Sequence, residues 1–198
     1  MAEKVPKLTP GQGRTLVALA RQTLMAHFNR GLTEEQTADL EARLEDEALG
    51  VHSGTFVTLK IGGELRGCIG SLVGREPLAD GVRSNAINAA FHDPRFRRLT
   101  NKELDRVSIE VSVLTSPQPL EYSDPDDLIA KLRPGLDGVT LHRGAAGSTF
   151  LPQVWEQLPD PGSFLSHLCR KAGWPADAWC DGDLDVEIFQ VQYFEEQH

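Results

Sequence analysis

The chain has 198 residues, 40% of them hydrophobic and 25% charged, which suits one large globular domain or two small units sharing a core. Its net charge of −9 argues against a nucleic-acid-binding protein held by phosphate contacts, because such proteins carry a basic face. No apolar segment approaches the ~18 residues that span a bilayer, and the N-terminus has no signal-peptide run, so we expect a cytoplasmic protein without a membrane partner.

The first third of the chain carries clear helix and hairpin signals. Thr9 and Pro10 have the pattern of an N-cap and a first helical residue, and a capping box from Thr33 to Gln36 begins a second, acidic helix. Two β-rich runs, 55–61 and 64–70, flank Gly62 and Gly63, which favour a tight turn. We therefore predict an antiparallel hairpin over residues 55–70.

The middle of the chain alternates helix and strand patterns. A helix is predicted from Pro77 to about His92, and Thr100 with Glu103 forms another capping box. Residues 107–113 alternate valine or isoleucine with serine and glutamate, which predicts a half-buried strand with one wet or partner-facing side. The proline-rich stretch 116–126 is the expected crossover between two subdomains of one domain spanning 1–198.

The last third predicts a short helix, a second hairpin, a helix and a strand. Ser163 is the expected N-cap of the later helix, and Cys169 on its apolar face is predicted to be buried and structural. The apolar positions of the final strand shift near Ile188 and Phe189, which indicates a β-bulge. Hairpins joined by local helices predict an α+β fold with a mainly antiparallel sheet and flanking helices.

Cys68, in the segment LRGCIG, is the first candidate functional residue. If the strand alternates strictly, Leu65 and Ile69 are buried while Arg66 and Cys68 share the opposite face. A guanidinium beside a thiol stabilises the thiolate. Gly67 and Gly70 lack side chains, so a ligand, or another strand or helix, can approach the backbone. The pattern alone fits either a reactive thiol or a small buried filler.

Two other segments supply candidate binding residues. His92, Asp93 and Arg95 crowd the end of a predicted helix, where they form either a terminating turn or an anion-binding group. Gln153 follows a proline in FLPQVW and is suited to fixing a backbone or an amide-bearing ligand. The six histidines and three cysteines show no metal-ligand spacing, so no metal site is predicted, and no motif identifies a cofactor.

Several motifs together resemble one known family. FVTL, LRGCIG, DPRF, VSVL, GSTFLPQVW and FLSHLCRKAGW occur here in the order seen in the AMMECR-type domain family, the protein A of AmmeMemoRadiSam systems. The resemblance covers about residues 10–194. It implies a compact α+β protein of two interlocked subdomains sharing a cleft, and it implies a Memo-like protein and a radical SAM protein as partners.

Two functional hypotheses remain open. In the first, the protein is an enzyme-system component that presents Cys68 in the cleft to a small-molecule or protein substrate, with Arg66 activating the thiol and Arg95 holding an anion. In the second, the hairpin and the DPRF turn form the surface of a non-catalytic protein- or ligand-binding adaptor. The family resemblance implies no established activity, so the sequence leaves open whether the protein is an enzyme.

Overall fold

Residues 7–196, which the computed structural model describes, form an α+β fold with two four-stranded sheets. The strands are β1 (Thr55–Ile61), β2 (Glu64–Ser71), β3 (Val107–Leu114), β4 (Gln118–Pro119), β5 (Gly138–Arg143), β6 (Ala146–Phe150), β7 (Asp185–Phe189) and β8 (Val191–Glu195). The α-helices are α1 (Pro10–His27), α2 (Glu34–Leu44), α3 (Leu78–Phe91), α4 (Asn101–Leu104), α5 (Pro125–Lys131) and α6 (Pro161–Lys171). Among these residues, no helix combines the length and apolar character that crossing a membrane requires.

The chain divides into two compact units, each with its own sheet. The first takes residues up to Ser116 together with those from Gln192, and the second is Pro117–Val191. The first sheet has the strand order β2-β1-β3-β8, and the second has the order β4-β7-β5-β6. Antiparallel pairing is found between β1 and β2, β1 and β3, β4 and β7, β5 and β6, and β5 and β7, as the hairpin-rich sequence predicts.

The core of the first unit lies between one face of its sheet and the helices α1 and α3. Val57 and Leu59 of β1, Ile109 and Val111 of β3, and Leu16 of α1 are almost completely inaccessible to solvent. The opposite face is also largely covered, because Glu110 and Ser112 of β3 are only 6% and 3% exposed. Of the two predictions for this side of β3, wet or partner-facing, the wet one is therefore wrong, although the polar and apolar residues do alternate between the two faces.

The second unit has a separate core built around α6. The ring of Phe164 stacks on that of Trp155 at 3.7 Å between centroids, and Leu165 and Leu168 are fully buried beside them. Cys169 belongs to the same cluster and is fully buried, which confirms its predicted position, and burial raises the pKa of its thiol. The predicted N-cap is wrong by one turn, because Asp160 caps α6 and accepts a hydrogen bond from the backbone N–H of Ser163.

Local sequence signals elsewhere in the fold behave as predicted. Thr9, Thr33 and Thr100 each form a reciprocal capping box with the residue three positions later. The final strand differs from the prediction. Instead of a bulge near Ile188 and Phe189, the chain breaks into β7 and β8, which belong to different sheets.

Candidate functional site

A β-bulge in the β1–β2 hairpin decides which way Cys68 points. Gly62 and Gly63 both have positive φ, 61° and 85°, and the two-residue turn pairs Ile61 with Glu64. Continued without interruption, that register sets Arg66 opposite Leu59, which faces the core. The register instead shifts by one residue, so that Gly67 lies opposite Leu59 and Cys68 opposite Thr58.

Because of the bulge, the side chains of β2 do not alternate strictly between the two faces as expected. Ile69 packs against the core as predicted, but Leu65 is 42% exposed, because it precedes the bulge and pairs with Lys60. Arg66 is the extra residue of the bulge. Without the shift, Cys68 would share the core-facing side of the hairpin with Leu59. The bulge therefore places the thiol on the polar face of the sheet.

On that face, three side chains lie in a row across three strands. Thr58 of β1 is directly opposite Cys68 of β2 on one side and Glu110 of β3 on the other. The Thr58 hydroxyl donates a hydrogen bond to Cys68 Sγ at 3.3 Å, and the thiol itself is partly buried. Glu110 is buried and accepts a hydrogen bond from Lys60 Nζ at 2.9 Å, which raises the pKa of Lys60.

The backbone of Cys68 is held by the turn that follows α3. Its N–H donates to Asp93 Oδ2 at 2.9 Å, and its carbonyl accepts from Arg95 Nη2 at 3.1 Å. β2 is an edge strand of its sheet, so the Asp93 and Arg95 side chains bond Cys68 where a neighbouring strand would otherwise do so. The turn thus closes the edge of the sheet at the thiol-bearing residue.

Asp93 and Arg95 also bind each other. Arg95 donates to both carboxylate oxygens of Asp93, at 3.0 and 2.8 Å, in a bidentate ion pair. The Asp93 side chain is only 1% exposed, whereas that of Arg95 is 55% exposed. Arg95 holds the pKa of Asp93 well below its usual value, and Asp93 raises the pKa of Arg95. Arg95 is therefore a cation bound to the backbone of Cys68.

Arg66 has a different partner from the one the sequence suggested. Its guanidinium donates to both carboxylate oxygens of Glu103, at 3.0 and 3.3 Å, and to the carbonyl of Arg98 at 3.3 Å. This pairing lowers the pKa of Glu103 to about 2. The guanidinium thus ties β2 to α4, and the predicted activation of Cys68 by Arg66 has no hydrogen bond to support it among the described contacts. A catalytic role for Arg66 stays a prediction.

The two glycines of the motif make room for the protein itself. A Cβ on Gly67 would lie 2.1 Å from the carbonyl oxygen of Ala89 in α3, and one on Gly70 would lie 2.3 Å from the ring of Phe56. Helix α3 and an aromatic side chain therefore take the space that the sequence offered to a ligand. This close packing accounts for both glycines without a bound molecule.

Two other predicted binding residues, His92 and Gln153, have their own surroundings. His92 is exposed, and its Nδ1 lies 3.1 Å from Oδ1 of Asn88, one turn earlier in α3. Gln153 is exposed in a short 3₁₀ helix, Pro152–Glu156, of the second unit. Within residues 7–196, no cluster of histidine, cysteine and acidic side chains is arranged to hold a metal ion.

Sequence reasoning missed three residues that shape the site: Thr58, Glu103 and Glu110. Thr58 reaches the thiol only through the bulge, since an uninterrupted hairpin would set it opposite Gly67. Glu103 was recognised only as part of a capping box, which it does form with Thr100, while it also binds Arg66. Glu110 was assigned to a wet face. The sequence feature that could have pointed to Glu110 was its alternation with valines along β3.

These features define an α+β protein that carries a partly buried thiol on an edge strand, with the backbone of that cysteine held by an ion pair whose carboxylate is buried. The AMMECR1 family model matches residues 17–194, so the chain belongs to the AMMECR1 family.

Similar proteins occur in archaea. The chain is 38% identical to Protein MK0488 of Methanopyrus kandleri, over 96% of this chain and 91% of that one. It is 41% identical to a protein of Methanothermobacter thermautotrophicus, over 98% of both chains. The crystal structure of the uncharacterised protein PH0010 from Pyrococcus horikoshii superposes with a TM-score of 0.77 at 33% identity, covering 94% of this chain and 92% of that one.

Proposed function

We propose that the protein is a cytoplasmic enzyme-system component whose working group is the Cys68 thiol, presented to a small-molecule or protein substrate. The observation that carries the proposal is the hydrogen bond from the Thr58 hydroxyl to Cys68 Sγ. A hydroxyl donor stabilises negative charge on sulfur, and thiolate is the reactive form of cysteine. A purely space-filling cysteine requires no such donor.

Two further features support a positioned thiol. The hydrogen bonds from Cys68 N–H to Asp93 and from Arg95 to the Cys68 carbonyl fix the backbone from which the side chain projects. A reactive side chain is most effective when the backbone that bears it is held rigidly. Arg95 adds a partly exposed positive charge at the backbone of Cys68.

The partners and the compartment belong to the same proposal. A Memo-like protein and a radical SAM protein are the partners that the family resemblance implies, and the substrate would reach Cys68 in their company. All three cysteines, Cys68, Cys169 and Cys180, are free, which suits a reducing cytoplasm.

The test is the rate of iodoacetamide alkylation at neutral pH in a Cys169→Ser, Cys180→Ser background, where Cys68 is the remaining thiol. Thr58→Val removes the hydroxyl and keeps the shape, and we expect it to slow alkylation about fivefold, as the loss of one hydrogen bond of about 1 kcal/mol would. Thr140→Val, which removes a buried threonine hydroxyl of the second unit, is the matched control and should leave the rate unchanged.

Two results would contradict the proposal. One is a Cys68 that alkylates only after unfolding, and the other is a Thr58→Val variant that reacts as fast as its parent. Either would favour the adaptor function, in which Arg66, Asp93 and Arg95 serve to shape a binding surface. Mass spectrometry of the protein purified from cells that make its system partners adds an independent readout, because a covalent adduct on Cys68 identifies the substrate.

A further inference from the structure

A cavity in the first unit, remote in sequence from the LRGCIG motif, has the features of a second binding site. It lies between α1 and α2, is closed at one end by Glu195 and Glu196 at the end of β8, and has a volume of about 420 Å³. This is within the range of about 300–1,000 Å³ that small-molecule sites occupy. Its apolar lining consists of Val17, Ala18, Leu32 and Leu40.

The two helices present one face each to this cavity. Arg14, Val17, Ala18 and Arg21 recur along α1 at the spacing of a single helical stripe. Val17 and Leu40 are almost fully buried and form the floor, while Arg14 is exposed at the rim. The long aliphatic stems of arginines extend such an apolar surface toward solvent.

Three arginines, Arg14, Arg21 and Arg43, and three acidic side chains line the cavity, so their formal charges balance. Arg43 lies 2.8 Å from Asp39 and Arg21 binds Glu196, while Glu195 is reached at 3.5 Å by Lys60, which lies outside the lining and also binds Glu110. Arg21 is held further by the carbonyls of Leu104 and Val107.

Arg14 takes part in none of these ion pairs. Among residues 7–196 its guanidinium has no hydrogen-bond or ion-pair partner, and it lines the cavity on α1. Among the described residues, Arg14 is thus the lining arginine that has no ion pair. An apolar floor with one free guanidinium at its rim complements a molecule that joins an apolar body to a single anionic group.

We propose that the α1–α2 cavity binds a small amphipathic anion, with its apolar body on Val17, Ala18, Leu32 and Leu40 and its anionic group on Arg14. This site shares no residue with the Cys68 group and does not depend on the function proposed for that thiol.

The test uses a matched pair of fluorescent probes with the full-length protein. 1-Anilinonaphthalene-8-sulfonate has an apolar body and one sulfonate, and N-phenyl-1-naphthylamine is the same body without the charge. We expect saturable binding of the sulfonate probe at one site per chain. Arg14→Met should weaken that binding about tenfold or more, as the loss of a charge-assisted contact does, and should leave the neutral probe unaffected.

Two further variants complete the design. Ala18→Trp fills the cavity and should abolish the binding of both probes, whereas Arg75→Met, at an exposed arginine outside the cavity lining, should change neither. The proposal is overturned if the native protein shows no saturable binding of the sulfonate probe, if Arg14→Met binds it as well as the native chain, or if folded Ala18→Trp retains the site. Arg14 is exposed, so Arg14→Met decides the question even where Ala18→Trp fails to fold.

Discussion

The backbone N–H of Cys68 donates a hydrogen bond to the carboxylate of Asp93, 25 residues further along the chain, at 2.9 Å. The same carboxylate is held by both arms of the Arg95 guanidinium, which in turn reaches the Cys68 carbonyl. The LRGCIG and DPRF segments are therefore two halves of one structural unit, in which a buried anion organises the strand that bears the thiol.

Asp93→Asn should destabilise the protein by about 2 kcal/mol, because it weakens the charge-assisted hydrogen bonds that the buried carboxylate accepts from Arg95 and from the Cys68 backbone. The measurement is the free energy of unfolding in urea. Asp80→Asn is the matched control, since Asp80 forms an exposed pair with Arg83 at 2.8 Å, and exposed pairs contribute about 0–1 kcal/mol. Equal losses in the two variants would show that the Asp93 pair has no special weight.

Stability should rise with pH between about 2 and about 4.5 through Glu103. Arg66 lowers its pKa in the folded state from 4.5 to about 2, so the unfolded chain binds more protons in that window. The stabilisation is present above pH 4.5 and is lost as the pH falls through the folded pKa. Glu103→Gln should flatten the profile of unfolding free energy against pH in this window, while Glu47→Gln, at another exposed helix-start glutamate, should leave its slope intact. A parallel shift of the whole curve in Glu103→Gln would contradict the prediction.

Gly67→Ala should cost about 3 kcal/mol or more, because the added methyl group would meet the main chain of α3 rather than a flexible side chain. The control is Gly31→Ala, where nothing lies within 4 Å of the added carbon. Thermal unfolding of the two variants distinguishes them. A Gly67→Ala protein as stable as the Gly31→Ala protein would mean that α3 can move away from β2 at little cost.

Cys169 should resist labelling in the native state and react once the chain is unfolded. It is fully buried, and burial raises its pKa, whereas Cys180 is exposed. Mass spectrometry after iodoacetamide treatment, with and without guanidinium chloride, assigns the modified thiols. Cys169→Ala should also lower the unfolding free energy by about 1 kcal/mol while leaving the reaction rate of Cys68 unchanged. Native-state labelling of Cys169 would contradict its structural assignment.

The parts of the fold that depend only on residues close together in the sequence could be predicted from it. The N-cap at Thr9, the capping boxes at Thr33 and Thr100 and the Gly62–Gly63 turn are local chemistry, and all four are confirmed. The bulge at Arg66 could not be predicted, because it reconciles a local strand pattern with a cross-strand conflict between Leu59 and a charged side chain.

Some residues of the candidate site could be named from the sequence, but their connections could not. Cys68, Asp93 and Arg95 come together, as far as their motifs suggested, yet the carboxylate contact to the Cys68 backbone joins positions with no shared local pattern. Arg66 illustrates the same limit, since its partner Glu103 lies 37 residues away in a different element. Alternation also placed Glu110 beside solvent, and only the completed sheet shows it buried and paired with Lys60.

The return of the chain to its first sheet at β8 sets an order for biosynthesis. β8 borders β3, and its residues from Gln192 onward follow the whole of the second unit along the chain. As the ribosome synthesises the protein, three strands of the first sheet emerge early, but the fourth is not made until Pro117–Val191 has been translated. Until then the outer edge of β3 has no partner strand from its own chain, although β3 carries apolar residues at alternate positions from Val107 to Val113. The nascent protein must therefore keep this edge from pairing with another chain while an entire unit is synthesised.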